Sequence, residues 1–447
     1  MLGFAGALVN LVIGLVRLRF AVLFFVFMLP FFPRSMAFPV GDGGLALTER
    51  RLAIVFLLTL FFILALTKGG ALARIISIAR TQAVFFSILL AMLTTKVVST
   101  LINSGIGSLS YVLDEILSSI FLFIIVFFII NSRRDVRNAI MALIIGLLIS
   151  GVLAVVEQIK GAPLLQGLVN VEVADAGRDL LEGYDRDGHY RSGALFDNPL
   201  LLAEFACLVF PFSLWGVTAF HGRSRLIALA GVLCVPLVLV LVYTRSGALV
   251  AAIGLLVFVY GYLWGRASDL TKFIMSIFLV AITFLSLYLA AMLVINPEIL
   301  FSKKNDGGVS ALERASQYFV VADAMTKSPL FGYGLTQNFA KDLDFLNHLD
   351  NYWLRLLLEG GLVAFVLFLF ILFILVRKSI RIIRLGNSSE DRMFGVALLS
   401  FFVSFSVYKL FLSMPTNNVY LYIVSALLLW HAAHLGVNDQ LESHKGF

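Results

Sequence analysis

With 447 residues, 60% of them apolar and only 14% charged, and a mean hydropathy of +0.97, the chain lies outside the range of water-soluble globular domains. The formal charge of +7 does not indicate nucleic-acid binding, because the basic residues fall in short loops between apolar runs, where Lys and Arg set membrane orientation. Cys207 and Cys234 lie inside apolar runs and indicate small buried hydrophobes rather than a disulfide or a metal pair. What remains is an all-α polytopic membrane protein, since hydrocarbon satisfies no backbone polar group and a lipid-exposed span must be a helix.

Residues 1–16 are apolar and glycine-containing but short of span length, which predicts an interfacial helix. Apolar runs bounded by charged or turn residues then predict about twelve transmembrane helices, near 20–40, 50–66, 80–99, 112–130, 137–158, 198–219, 226–243, 246–264, 272–294, 351–376, 393–413 and 417–435. The stretch 17–38 also has the parts of a signal peptide, "RLR", an apolar run and "SMA", but the spans that follow favour a retained first helix. Short loops rich in Lys and Arg, such as Arg17 with Arg19, Arg133 to Arg137, Arg223 with Arg225 and Arg377 with Lys378, place both termini in the cytoplasm. Two sizeable loops, about 159–197 and 295–350, then lie on the outer side of the membrane.

The first loop is acidic and by default a solvated face, but it closes with "RSGALFDNP" (191–199), where Arg191 precedes small and apolar residues and Pro199 suits a helix start. Glu204 follows inside the next span. Between spans seven and eight a tight outer turn, "VYTRSGALV" (242–250), leaves Arg245 at the interface. Its planar guanidinium suits phosphate oxygens; snorkelling to headgroups is the alternative. In the second loop Ser310 and Glu313 form a capping-box pattern, and apolar residues at 312, 315, 319 and 322 predict an amphipathic helix over about 311–326 that ends before Pro329. Arg314, in its first turn, projects toward the outer compartment or pairs with a loop carboxylate. The Gly332 and Gly334 turn offers backbone N–H groups to an anion.

The next passage, "LNHLDNYWLRLLLEGGL" (346–362), places His348, Asp350 and Asn351 at the outer mouth of span ten. Asp350 is placed to cap that helix, and a carboxylate or imidazole there is also what activates an acceptor hydroxyl beside a bound diphosphate. Arg355 and Glu359, four residues apart, are expected to pair. For Glu204 and Lys409 the sequence leaves a protein partner and a substrate contact open. The six histidines show no ligand cluster, so neither a metal nor a cofactor is expected.

Three passages together resemble the O-antigen ligase and Wzy-type polysaccharide polymerase superfamily: "RSGALFDNPLLLAEFACLVFPF", "YTRSGALVAAIGLL", and the region from "SPLFGYGLTQNF" to "DNYWLRLLLEGGL". The resemblance covers about residues 183–370. It implies a metal-independent, inverting glycosyltransferase with a GT-C-like membrane fold, set in the bacterial inner membrane with its active site facing the periplasm. Its donor would be an undecaprenyl-diphosphate-linked glycan and its acceptor a glycan or a lipid, with a chain-length regulator as a further candidate partner.

On this resemblance the chain divides into N-terminal helices and the start of the first loop (1–182), a catalytic region including the loop 295–350 (183–376), and C-terminal helices with a cytoplasmic tail (377–447). Arg191 and Arg245 map onto the arginines that grip the diphosphate, with Arg314 as a third; Asn351, Glu204 and Arg355 are supporting candidates. At the family's histidine position, counted back from Glu359, this chain has Asp350, and His348 falls two residues early. Polymerase-like relatives carry Asp-Asn there, so a polymerase is preferred over a lipid A-core ligase. A polysaccharide flippase is the rival from another class, and the clustering of arginines at one face speaks for an enzyme.

Overall fold

The computed structural model describes residues 5–32, 37–40, 45–67, 76–77, 79–105, 109–164, 185–186, 189–196, 198–265, 268, 270–271, 306–335 and 349–443. In chain order these form α1 (Ala5–Val16), α2 (Leu18–Met28), a hairpin of β1 (Ala37–Val40) and β2 (Leu45–Thr48), α3 (Glu49–Thr67), α4 (Ala83–Ser104), α5 (Leu109–Glu115), a π-helical stretch (Ile116–Ile120), α6 (Phe121–Ile129), α7 (Arg133–Lys160), the short strands β3 (Asp185–Arg186) and β4 (His189–Tyr190), α8 (Pro199–Ala219), α9 (Gly222–Leu241), α10 (Arg245–Trp264), α11 (Asp306–Lys327), α12 (Tyr352–Leu385), α13 (Ser389–Tyr408) and α14 (Asn418–Ser443). Among the described residues nine helices are long and apolar enough to cross a membrane, and three shorter apolar helices accompany them. The protein is an all-α polytopic membrane protein; the predicted ninth span, 272–294, lies outside the described residues.

One early expectation changes. Span one, expected over 20–40, stops as α2 tightens into a 3-10 turn at Leu29–Phe31. Pro30 has no N–H to continue the helix, and β1 and β2 then pair antiparallel with Ala37 opposite Thr48. Helix α1, 12 residues long, is short of span length as expected. It runs alongside α3, with Gly6 against Glu49 and Gly14 against Leu60, and Glu49 Oε1 accepts from the Ala7 N–H at 3.2 Å.

Local sequence sets the helix starts. Asn198, Thr244, Ser132 and Ser388 are N-caps whose side chains accept from Leu200, Gly247, Asp135 and Asp391 N–H groups, satisfying donors a helix cannot satisfy itself. The bundle centres on α8 and α14, whose apolar windows are each 83% buried, around fully buried Phe205, Phe212, Trp215, Phe401 and Tyr408. At the end where α7 begins, the helices are tied by Arg133 to Asp391 at 3.2 Å, His431 to Asp391 at 3.2 Å, Arg137 to Glu390 and Arg19 to Asp135.

The most unusual element is α12. It has 34 residues, and its course is broken at Gly361 (φ 67°, ψ −172°). The turn 328–335 fills the break. Tyr333 and Gly334 donate to the carbonyls of Leu358 and Glu359 at 2.7 and 3.0 Å, while Leu362 and Val363 donate back to those of Pro329 and Leu330 at 2.9 and 3.2 Å. From α4, Ser99 Oγ meets the Phe331 and Glu359 carbonyls, Thr100 Oγ1 accepts from Leu335, and Asn103 Nδ2 donates to Gly332 O. This corrects the expectation of an anion site at Gly332 and Gly334: Gly332 N–H already donates to Ser328 O at 3.1 Å and Gly334 N–H to Glu359 O. The turn mends a helix instead of holding a ligand.

Helix α11 begins at Asp306, so Ser310 lies inside it rather than at its cap; it ends at Lys327, before Pro329. Val321 and Ala324 of α11 pack on Leu354 and Leu358 of α12, and the Tyr333 hydroxyl donates to Ala324 O at 2.7 Å.

The seam leaves no room for a side chain. A Cβ on Gly361 would lie 2.2 Å from Leu330 O and one on Gly332 would lie 2.3 Å from Leu358 O, both at positive φ, whereas one on Gly265 meets nothing closer than 3.8 Å. Gly361→Ala and Gly332→Ala should each destabilise the purified protein by more than about 2 kcal/mol, read as a lowered thermal midpoint in detergent, with Gly265→Ala near wild type.

Candidate functional site

The pentapeptide Arg-Ser-Gly-Ala-Leu occurs twice, at 191–195 and at 245–249, and the fold brings the two copies to the same turn. The first copy is a strap between β4 and α8. Arg191, buried with 9% of its surface exposed, donates Nε–H to the Val242 carbonyl at 3.0 Å, and Ser192 N–H donates to Leu241 O at 3.1 Å. The imidazole of His189 stacks on the Tyr243 ring with centroids 4.9 Å apart. Two non-glycine residues here have positive φ, Ala194 at 51° and Tyr243 at 53°. Such backbone costs energy and persists only where neighbours enforce it. The enforcing group is Glu157 near the C-terminal end of α7, whose Oε2 accepts from Gly193 and Ala194 N–H at 2.7 and 2.6 Å. Sequence reasoning passed over Glu157; its signal was a lone carboxylate at the end of an apolar run.

The second copy opens α10. Arg245 is its first residue and is exposed. Its charge therefore adds to the partial positive charge of the helix N-terminus. The Thr244 cap hydroxyl accepts from Gly247 N–H at 3.3 Å and lies 3.1 Å from Ser246 Oγ. Arg191 and Arg245 thus flank one turn, Val242 to Thr244.

Beneath this turn lies a buried ion pair. Lys409 Nζ is 2.8 Å from Glu204 Oε1 with both side chains fully buried, and the ammonium also donates to Met414 O at 2.8 Å and sits 5.2 Å from the Tyr352 ring centroid. The question the sequence left open about Glu204 and Lys409 is answered by each other. The hydroxyl of Tyr408, next to Lys409 in the chain, donates to Leu200 O at 2.9 Å. Tyr352 N–H donates to Lys409 O at 2.9 Å and its hydroxyl accepts from Asn418 Nδ2 at 2.9 Å. Lys409 thereby links Glu204 of α8 to the first turn of α12.

At that turn the capping role expected of Asp350 belongs to Asn351, whose Oδ1 accepts from Trp353 and Leu354 N–H at 2.9 and 3.4 Å. Asp350 stands one residue outside the helix, half-buried, with its N–H donating to Gln317 Oε1 at 3.2 Å. Asn351 Nδ2 donates to the Tyr318 hydroxyl at 2.9 Å, so α11 holds both residues in place. Arg355 and Glu359 pair at 2.6 Å across one helical turn, and Lys96 of α4, nearly fully buried, pairs with Glu115 at 2.6 Å. The side chain of Arg314 and the whole of His348 lie outside the described residues.

Helices of this length and polarity, with arginines gathered at one end, define a multi-pass membrane protein with a candidate anion-binding mouth. Residues 229–369 match the family model described as O-antigen ligase, which supports the resemblance to the O-antigen ligase and Wzy-type superfamily. The match includes Arg245, Asp350, Asn351 and Arg355, while Arg191 and Glu204 lie upstream of it. It supports an enzyme in general, working on lipid-linked glycans in a bilayer. No curated protein matches the chain.

Removing one member of a buried ion pair strands the other. Glu204→Gln or Lys409→Met should each destabilise the protein by about 3–5 kcal/mol, and the double variant Glu204→Leu with Lys409→Met should recover most of that loss. Unfolding midpoints of the three variants in detergent check this.

Proposed function

We propose that the protein is a membrane-embedded glycosyltransferase that joins undecaprenyl-diphosphate-linked oligosaccharide repeat units into a longer polysaccharide at the periplasmic face of the inner membrane. The observation that carries this reading is the meeting of Arg191 and Arg245 at one turn, with the Arg191 Nε–H bonded to the Val242 carbonyl and Arg245 opening α10. In the proposed reaction the acceptor hydroxyl attacks the anomeric carbon of the donor sugar from the face opposite the diphosphate. The carbon–oxygen bond to the diphosphate breaks, and its electron pair leaves with the phosphate oxygen. Guanidinium groups and the α10 N-terminus stabilise the charge that grows there. Asp350 accepts the proton of the attacking hydroxyl, with His348 as the alternative base.

Polymerisation is preferred over ligation because Asp350-Asn351-Tyr352 stands where a ligase would carry its histidine. In the ligase reading the same site moves finished glycan onto lipid A-core. A strain lacking the protein separates the two: single repeat units in place of polymer support polymerase, and polymer stranded on its lipid carrier supports ligase. For the transporter reading, reconstitution with lipid-linked repeat units decides, since movement without new glycosidic bonds would defeat an enzyme.

Arg245→Ala should lower the rate of glycosidic bond formation by on the order of 10²–10³, the usual effect of removing one charge-stabilising donor, with normal membrane insertion; Asp350→Asn should lower turnover with little change in donor binding. Polymer of ordinary length from an Arg245→Ala strain would remove that residue from the mechanism.

A further inference from the structure

Glu157 is the fully buried group on which the Arg191 strap is built. Its Oε2 takes the successive N–H groups of Gly193 and Ala194, and its Oε1 takes that of Leu164 at 3.1 Å. Two adjacent amides converging on one oxygen form the kind of concavity that elsewhere binds anions, so here the protein's own carboxyl group fills it. The neighbouring Gln158 takes the Ser192 hydroxyl at 2.9 Å. Each residue from Arg191 to Ala194 is thereby held by α7, by the last residue of α9 or by the turn that follows it.

We infer that Glu157 is a positioning residue for glycosyl transfer: by filling the cradle of Gly193 and Ala194 amides it fixes the strap so that the Arg191 guanidinium stands at the turn that carries Arg245. The inference rests on the reading of Arg191 as a diphosphate ligand. Three features support it. The strap contains a non-glycine residue at positive φ, Ala194, which has no reason to persist once the two amides lose their acceptor. The acceptor must present oxygen in both positions, because Oε1 and Oε2 each face backbone donors, and an amide would set its own N–H against one of them. Finally, the amides are spent on Glu157, which leaves recognition of an anion by the strap to the side chain of Arg191.

The test uses the full-length protein in lipid nanodiscs with a lipid-diphosphate-linked repeat unit as donor. In Glu157→Gln, amide hydrogen exchange across 190–196 should quicken by about tenfold or more while α8 and α9 keep their protection, and kcat/KM should fall by about tenfold or more, as expected when a binding group is misplaced by an ångström. Adding Glu157→Gln to Arg191→Ala should cost no more than about twofold beyond Arg191→Ala alone, the signature of one residue acting through another. Unchanged exchange over 190–196, or losses that multiply in the double variant, would overturn the role of Glu157. Wild-type turnover by Arg191→Ala would overturn the diphosphate reading, and this role with it. Should Glu157→Gln fail to reach the membrane, Glu157→Asp, whose carboxyl group is one methylene short, is put through the same measurements with the same expectations.

Discussion

A chain that lives in hydrocarbon must satisfy its backbone hydrogen bonds internally, and that constraint governs every irregular feature of this fold. Helices meet it automatically. Two places among the described residues that depart from helix, the break in α12 and the strap before α8, meet it with dedicated partners. At Gly361 the freed carbonyls and N–H groups of α12 pair with the turn 328–335, strand-like, in both directions. At Gly193 and Ala194 the freed amides pair with the carboxyl group of Glu157. Irregular backbone inside a span is tolerated only when protein buries it or it lines a cavity, and at Gly361 it is paired within the protein.

The same economy applies to charge. Ionisable groups inside spans are expensive in isolation, yet Glu204 with Lys409, Lys96 with Glu115 and Arg355 with Glu359 each lie in contact with an opposite charge. These pairs join different helices in the first two cases and stiffen one helix in the third. A buried pair is weak evidence for stability, because desolvation offsets the attraction, but it is a strong device for fixing which helix faces which. Lys409, bonded also to the Met414 carbonyl and placed against the Tyr352 ring, locks the end of α13 to the start of α12. The position of Asn351, and with it Asp350, follows from that lock.

The proposed chemistry draws on both devices. Glycosyl transfer from a diphosphate asks for positive charge where the leaving group departs and for a proton acceptor near the incoming hydroxyl. In that proposal the strap and the α10 N-terminus would supply the first at one turn, and the residues that open α12 would supply the second. Rigid supports under each arginine matter more than their number, because electrostatic stabilisation gains most when donors are held in place before the reaction.

Much of this was legible in the residues alone. Hydropathy sets the class and most spans, since a lipid-facing helix must be apolar over its whole length; Asn198 with Pro199 marks the start of α8, and the spacing of Arg355 and Glu359 foretells their pairing. The resemblance singled out Arg191, Arg245 and the Asp350 region, of which the matched segment 229–369 contains Arg245 and Asp350. Tertiary structure alone decided that Asn351 rather than Asp350 caps α12, that Lys409 is the partner of Glu204, that the glycine turn mends a broken helix, and that Glu157 carries the strap. The physical reason is common to all four. Composition and periodicity report how a residue relates to solvent and to its neighbours along the chain, whereas a hydrogen bond or ion pair between groups far apart in sequence exists only once packing has brought donor and acceptor within about 3 Å.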